Sequence, residues 1–259
     1  MIRAVTLDLD DTLWAIAPAI VRAEQRMDDW LRRHFPAVAT RWSIPRLREL
    51  RDRVAAEHPE LAHDFSAQRR LSLRHAFGDS LGSDHHAIDD GVEAAFVEFQ
   101  HGRHEIEPYP EVLDALARIA ARVPLAALTN GNADLERLRM AQHFQFSLNA
   151  REFGRAKPDA AIFHAACERL GLAPSSVLHA GDDLDADVRG AHAAGLTSAW
   201  IDRHGKIEPP AEAHLHFGCL GALADWIEAN TPEQTSSPAD KARGRRDDAD
   251  HLRHRQGVR

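Results

Sequence analysis

Cysteine is nearly absent from this chain. Its 259 residues contain two, Cys167 and Cys219, which share neither a CxxC pattern nor zinc-type spacing. A disulfide framework and a cysteine metal centre are thereby excluded, and Cys167, among small helical residues, reads as a core thiol. Long apolar runs are also missing, since none approaches the ~20 residues of a membrane-crossing helix. Positive charge is outweighed, with a formal net charge of −8, which argues against a nucleic-acid or membrane-surface role. No signal peptide precedes the first strand, which points to the cytoplasm. What the chain does have is 44% hydrophobic residues, enough for one large domain or a core with a smaller one.

The most informative segment lies at the start. Ala4-Val5-Thr6-Leu7 reads as a short buried strand, and it ends in Asp8-Leu9-Asp10-Asp11-Thr12. Asp8 and Asp10 are two apart, so they project the same way from the strand's carboxyl end. Two adjacent carboxylates repel unless a cation or a shared proton holds them. Such a pair can bind Mg²⁺, and one member can attack a phosphoryl group while the other shuttles protons. The alternative is an acidic loop after a strand.

From residue 14 to 105 the periodicity is helical. Ile16, Ile20, Met27, Trp30 and Leu31 mark one helix, ended by Pro36. Ile44, Leu47, Leu50 and Val54 mark another, with Ser43 as its cap and Pro45 in its first turn. Two more follow around Leu71–His75 and Val92–Phe99. From Pro108 strands and helices alternate, which implies a parallel sheet covered on both faces. Strands are expected at 125–128, 146–148, 177–180 and 197–201. Helices are expected at 111–121, 133–143, from Pro158 to near Gly171, and at 185–194. The expected fold is therefore α/β: a Rossmann-like core over 1–13 and 106–229, with an all-helical cap over 14–105. Residues 230–259 are poor in apolar side chains and are read as a disordered tail.

Three later strand ends carry polar groups. Leu128-Thr129-Asn130-Gly131 supplies a hydroxyl, an amide and backbone N–H groups for phosphate oxygens, although a turn capped by Asn132 would look the same. Lys157, before Pro158, can neutralise a phosphate or a carboxylate. Gly181-Asp182-Asp183-Leu184-Asp185-Ala186-Asp187 packs four acids onto an apolar strand, as a Mg²⁺ site would. Asp182 is the natural direct ligand there. Asp187 suits a metal-bound water or the orientation of Lys157, and Asp185 suits the helix N-terminus. Together these groups provide what phosphoryl transfer needs.

In this order the four segments resemble the haloacid dehalogenase superfamily of phosphohydrolases. The resemblance spans residues 1–229. It implies that Asp8 forms an aspartyl-phosphate and that Asp10 acts as general acid and then base. It also implies that Thr129, Asn130 and Lys157 bind phosphate, and that Asp8, the Asp10 carbonyl and Asp182 bind Mg²⁺, supported by Asp183 and Asp187. Dehalogenases of the superfamily lack a carboxylate at the position of Asp10, so its presence favours a phosphatase. Phosphomutases keep both acids and remain an alternative, as do sugar-phosphate phosphatases, a 2-haloacid dehalogenase and a non-catalytic homologue. The stretches Leu7–Trp14, Leu128–Ala133 and His179–Leu184 further resemble a bacterial subgroup active on flavin mononucleotide and on 5-amino-6-(5-phospho-D-ribitylamino)uracil, a riboflavin-biosynthesis intermediate. The expected partner is a small phosphorylated metabolite. Its distal part is assigned to Trp14, Arg22 and Arg70, drawn from the arginines on two cap helices, Arg22 and Arg26 on one and Arg69, Arg70 and Arg74 on the other. The histidines read as surface residues.

Overall fold

The computed structural model describes residues 1–205 and 208–232. Strand β1 (Ala4–Leu7) leads into five helices: α1 (Ile16–His34), α2 (Pro36–Arg41), α3 (Ile44–Glu57), α4 (Phe65–Leu81) and α5 (His85–Arg103). Then come α6 (Val112–Ala120), β2 (Leu125–Thr129), β3 (Phe146–Asn149), α7 (Ala150–Phe153) and α8 (Ala160–Leu170). The chain continues through β4 (Val177–Gly181), a π-helical turn (Leu184–Arg189), α9 (Gly190–Ala193), β5 (Thr197–Ile201), β6 (Leu215–Phe217) and α10 (Leu220–Asn230). The six strands form one parallel sheet in the order β3-β2-β1-β4-β5-β6. Every residue of β1, β2 and β4 is buried, as continuous apolar strands covered by helices on both faces must be. The strand order reverses at β1, so the crevice for a ligand opens at the carboxyl ends of β1, β2 and β4.

Helices α1–α5 have their own core, built on Met27, Leu31, Leu73, Phe77, Val92 and Phe99. Trp14 forms a bridge with Pro108, and the Tyr109 N–H donates to the Leu13 carbonyl at 3.0 Å. The chain thus leaves the sheet layer and returns to it side by side. Among the described residues no helix is long and apolar enough to cross a membrane. The tail expected to be disordered lies outside the described residues from 233 onward.

Several local expectations are corrected. Residues 133–140 are not helical, with turns over 135–139 and only a 3₁₀ turn at Ala141–His143. The Asp134 carboxylate accepts the N–H groups of Glu136 and Arg137, and Arg139 sits at φ 55°, which a helix does not allow. Helix α8 begins after Pro158, because Asp159 is its cap and accepts the Ala161 N–H at 2.9 Å. Asp183, not Asp185, caps the π-helical turn by accepting from Asp185 and Ala186 at 2.8 Å. Ser43 stands at the cap position of α3 without a side-chain hydrogen bond. Strand β6 and helix α10 add to the elements expected from the sequence, and Cys167 is buried as expected.

Candidate active site

The turn after β1 folds tightly because Asp11 adopts φ 59°, and its carboxylate accepts the Ile16 N–H at 2.9 Å. This turn leaves Asp8 at the strand end, 7% exposed. The Lys157 ammonium lies between two carboxylates, 2.6 Å from Asp8 Oδ1 and 2.6 Å from Asp187 Oδ1. Behind Asp187, His179 Nε2 donates at 3.0 Å, and the other ring nitrogen is 2.9 Å from Thr6 Oγ1. A carboxylate only accepts, so this network assigns the ring proton to Nε2 and the Thr6 hydroxyl as donor to Nδ1. His179 is fully buried, against the surface reading.

Asp182 joins from the end of β4, where Thr12 Oγ1 donates to its Oδ1 at 3.1 Å. One oxygen each from Asp8, Asp182 and Asp187 falls within 4.8 Å of the others, a grouping able to hold a metal ion. Asp187 is the weakest donor of the three, since its oxygens already accept from Lys157, His179 and the Asp183 N–H. The Asp10 carboxylate is not in the group. Gly181 and Gly131 let this site close, because a Cβ at Gly181 would collide with the Asp187 carboxylate and one at Gly131 with Asp10 Oδ2.

The electrostatics show a cluster short of positive charge. Burial, then the neighbouring Asp187 and Asp11, push the Asp182 carboxyl up to about 7. Burial also raises Asp8 well above the usual carboxylate range, although Lys157 opposes it. Burial works against charge on Asp187 as well, yet Lys157 and His179 hold it far below that range. Burial opposes the Lys157 charge too, but Asp187 and Asp8 raise its pKa.

Thr129 Oγ1 accepts the Gly131 N–H at 2.9 Å, leaving its own O–H for the cleft it lines with Asp8 and Lys157. Asn130 departs from its expected use. Its amide makes two hydrogen bonds to the Lys157 backbone, donating to the carbonyl at 2.9 Å and accepting from the N–H at 2.8 Å. It therefore fixes the lysine loop and has little left for a phosphate. Asp183 acts as a helix cap and donates its N–H to Asp187 at 3.0 Å.

Sequence reasoning missed the residue that holds Asp10. Arg103, at the end of α5, is 1% exposed and donates through Nη2 to Asp10 Oδ1 at 2.6 Å and Oδ2 at 2.7 Å. Trp14 Nε1 donates to Asp10 Oδ1 at 2.8 Å. Trp14 is fully buried, so it cannot stack on a substrate ring and serves the turn instead. Arg22 is exposed and donates to the Glu105 carbonyl, away from the cleft. Arg70 pairs with Glu93 at 2.8 Å and lies 3.7 Å over Phe96, lining an outer groove. Its neighbour Arg69 is the arginine that turns inward. No single-sequence signal separates Arg69 and Arg103 from the other arginines.

Comparison with known proteins agrees with this geometry. The family model described as "haloacid dehalogenase-like hydrolase" matches residues 2–195. The Escherichia coli 5-amino-6-(5-phospho-D-ribitylamino)uracil phosphatase YigB is 35% identical over 87% of this chain and 96% of its own length. A Thermus thermophilus phosphoserine phosphatase is 36% identical over 59% of this chain and 62% of its own length. A crystal structure described as a 2-haloacid dehalogenase from Pseudomonas syringae superposes with a TM-score of 0.83 at 38% identity, covering 89% of this chain and 99% of that one. With the motif-bearing strand ends gathered at one sheet edge and the family model covering most of the sheet, the chain is an enzyme and belongs to the haloacid dehalogenase-like hydrolases.

Proposed function

We propose that this enzyme is a Mg²⁺-dependent phosphomonoesterase acting on a small phosphorylated metabolite, with residues 14–105 as a cap over the cleft. One observation carries this reading: Lys157 bridges Asp8 and Asp187 in a cleft that Asp10 also lines. An Asp8 oxygen attacks phosphorus in line, and the new Asp8 O–P bond forms as the ester P–O bond breaks. Asp10 gives its proton to the leaving oxygen. It then takes a proton from water, whose oxygen attacks phosphorus, releases phosphate and restores Asp8. The Lys157 ammonium and the Thr129 hydroxyl hold the phosphoryl oxygens, with Asn130 fixing the lysine loop.

Asp8 and Asp182, with the Asp10 backbone carbonyl, would hold Mg²⁺, whose chemistry here is to neutralise charge between the nucleophile and the phosphoryl group. The donor set fits, being hard oxygens in a cluster where burial raises the Asp8 and Asp182 carboxyls above their usual range. Flavin mononucleotide or 5-amino-6-(5-phospho-D-ribitylamino)uracil is the substrate we favour, supported by the similarity to the E. coli phosphatase. The similarity to the Pseudomonas syringae structure described as a 2-haloacid dehalogenase favours a second reading, halide displacement by Asp8. Asp10 weighs against it, because a halide leaving group needs no proton.

The test is phosphate release from a metabolite-phosphate panel with Mg²⁺, alongside halide release from 2-chloropropionate, for wild type and Asp8→Asn. Phosphate release lost in Asp8→Asn supports the proposal. Halide release alone, or phosphate release equal in the two proteins, overturns it.

A further inference from the structure

Beyond the phosphoryl cleft lies a second cavity of about 470 Å³, open to solvent on one side and lying between the helical insert and the loop after β2. Asp10, Phe65 and Gly131 line both, so the two spaces adjoin. Three guanidinium groups face this cavity. Arg51 is paired with Asp52 at 3.0 Å, and Arg103 is paired with Asp10. Arg69 is only 8% exposed and has no hydrogen-bond or ion-pair partner among the described residues. Its guanidinium lies 3.6 Å over the Phe99 ring, which occupies its face and leaves its edge of N–H donors open. Arg103 Nη1 is a second buried donor with no partner among the described residues.

A desolvated cation without an acceptor is costly, so buried arginines normally meet carboxylates or carbonyls. Burial and nearby Arg51 pull the Arg69 pKa down to about 9, which still leaves it charged at neutral pH. The cavity therefore holds a surplus, oriented donor edge where the leaving group of an ester bound at Asp8 would lie.

We infer that this cavity is the leaving-group subsite and that Arg69 receives a planar pair of acceptor atoms on the substrate, a carboxylate or a ring-carbonyl edge. The inference rests on the phosphatase reading above and adds the class of leaving group. Substrates ending in hydroxyls or plain hydrocarbon leave Arg69 unanswered and are discriminated against.

The test compares phenyl phosphate, which has no distal acceptor, with phosphoserine for the carboxylate and flavin mononucleotide for the ring carbonyls. kcat/KM is measured for wild type, Arg69→Met, which keeps the contact with Phe99, and Arg69→Lys. Arg69→Met is expected to lose about tenfold or more on the preferred acceptor ester beyond any loss on phenyl phosphate, chiefly in KM. Arg69→Lys is expected to recover only part, because a point charge cannot replace the fork. The ester that loses most identifies the acceptor type. Equal losses on all three esters overturn the subsite while leaving the phosphatase reading intact.

Binding of the same esters to Asp8→Asn, by calorimetry with and without Arg69→Met, gives a readout independent of turnover. Tighter binding of acceptor esters that Arg69→Met removes supports the subsite, even should wild type hydrolyse none of them. No preference over phenyl phosphate refutes it.

Discussion

Arg103 Nη2 donates to both carboxylate oxygens of Asp10, joining the last turn of the helical insert to the acid cluster on the sheet. The pair spans the junction where Trp14 and Pro108 meet, so the position of the helices and that of the proposed proton donor are set together. Arg103→Met should lower kcat more for alkyl phosphates than for p-nitrophenyl phosphate, whose leaving group needs little protonation. Asp10→Asn should show the same contrast at larger size, about 10²–10⁴-fold on alkyl esters. Equal effects on both esters would remove Asp10 from proton transfer.

Lys157 pairs with two buried carboxylates at once. Lys157→Met should abolish turnover and destabilise the metal-free protein by about 3–5 kcal/mol, as expected for a buried pair deprived of one partner. Adding Asp187→Asn to that variant should restore part of the stability but none of the activity. Urea denaturation and phosphate release measure the two effects separately.

The Asp182 carboxyl, raised from 3.8 to about 7, makes stability depend on pH. Between those values the unfolded chain has released this proton while the folded protein still holds it. The unfolded state then binds fewer protons, and stability falls as pH rises from about 4 to 7. Thermal melts in EDTA should show this fall for wild type and a smaller one for Asp182→Asn. Mg²⁺ should flatten the wild-type profile by taking the proton's place. Identical profiles for the two proteins would show that Asp182 is not the titrating group.

Gly131 passes directly beneath Asp10 Oδ2, with no room for a Cβ. Gly131→Ala should displace that carboxylate and reduce kcat by about 10²-fold, the scale of a misplacement near 1 Å. The melting temperature should move by only a few degrees. A variant with full kcat would show that Asp10 tolerates the shift.

The strands around the cleft were legible because parallel strands buried on both faces are apolar throughout, and the polar residues that end them stand out. Asp8 and Asp182 meet as their strand ends suggested, whereas Lys157, expected at a strand end, reaches them from the loop between α7 and α8. The loop at 133–140 was misread because small and apolar residues suit a helix, whereas the Asp134 side chain and the left-handed Arg139 impose turns. Strand β6 was missed because it is short and only partly buried.

Local composition and order determined the α/β alternation, the helical insert after β1 and the acid and hydroxyl groups at the strand ends, since each is written in contiguous residues. Tertiary structure alone decided how those groups are used. It turned Asn130 onto the Lys157 backbone, placed His179 behind Asp187 and buried Trp14 beneath Asp10. It also chose, from neighbouring arginines of the same charge, Arg69 to face the cavity and Arg70 to face outward. The physical reason is that a side chain's partners are fixed by packing between distant segments, 173 residues apart for Thr6 and His179, and local sequence carries no record of such distances.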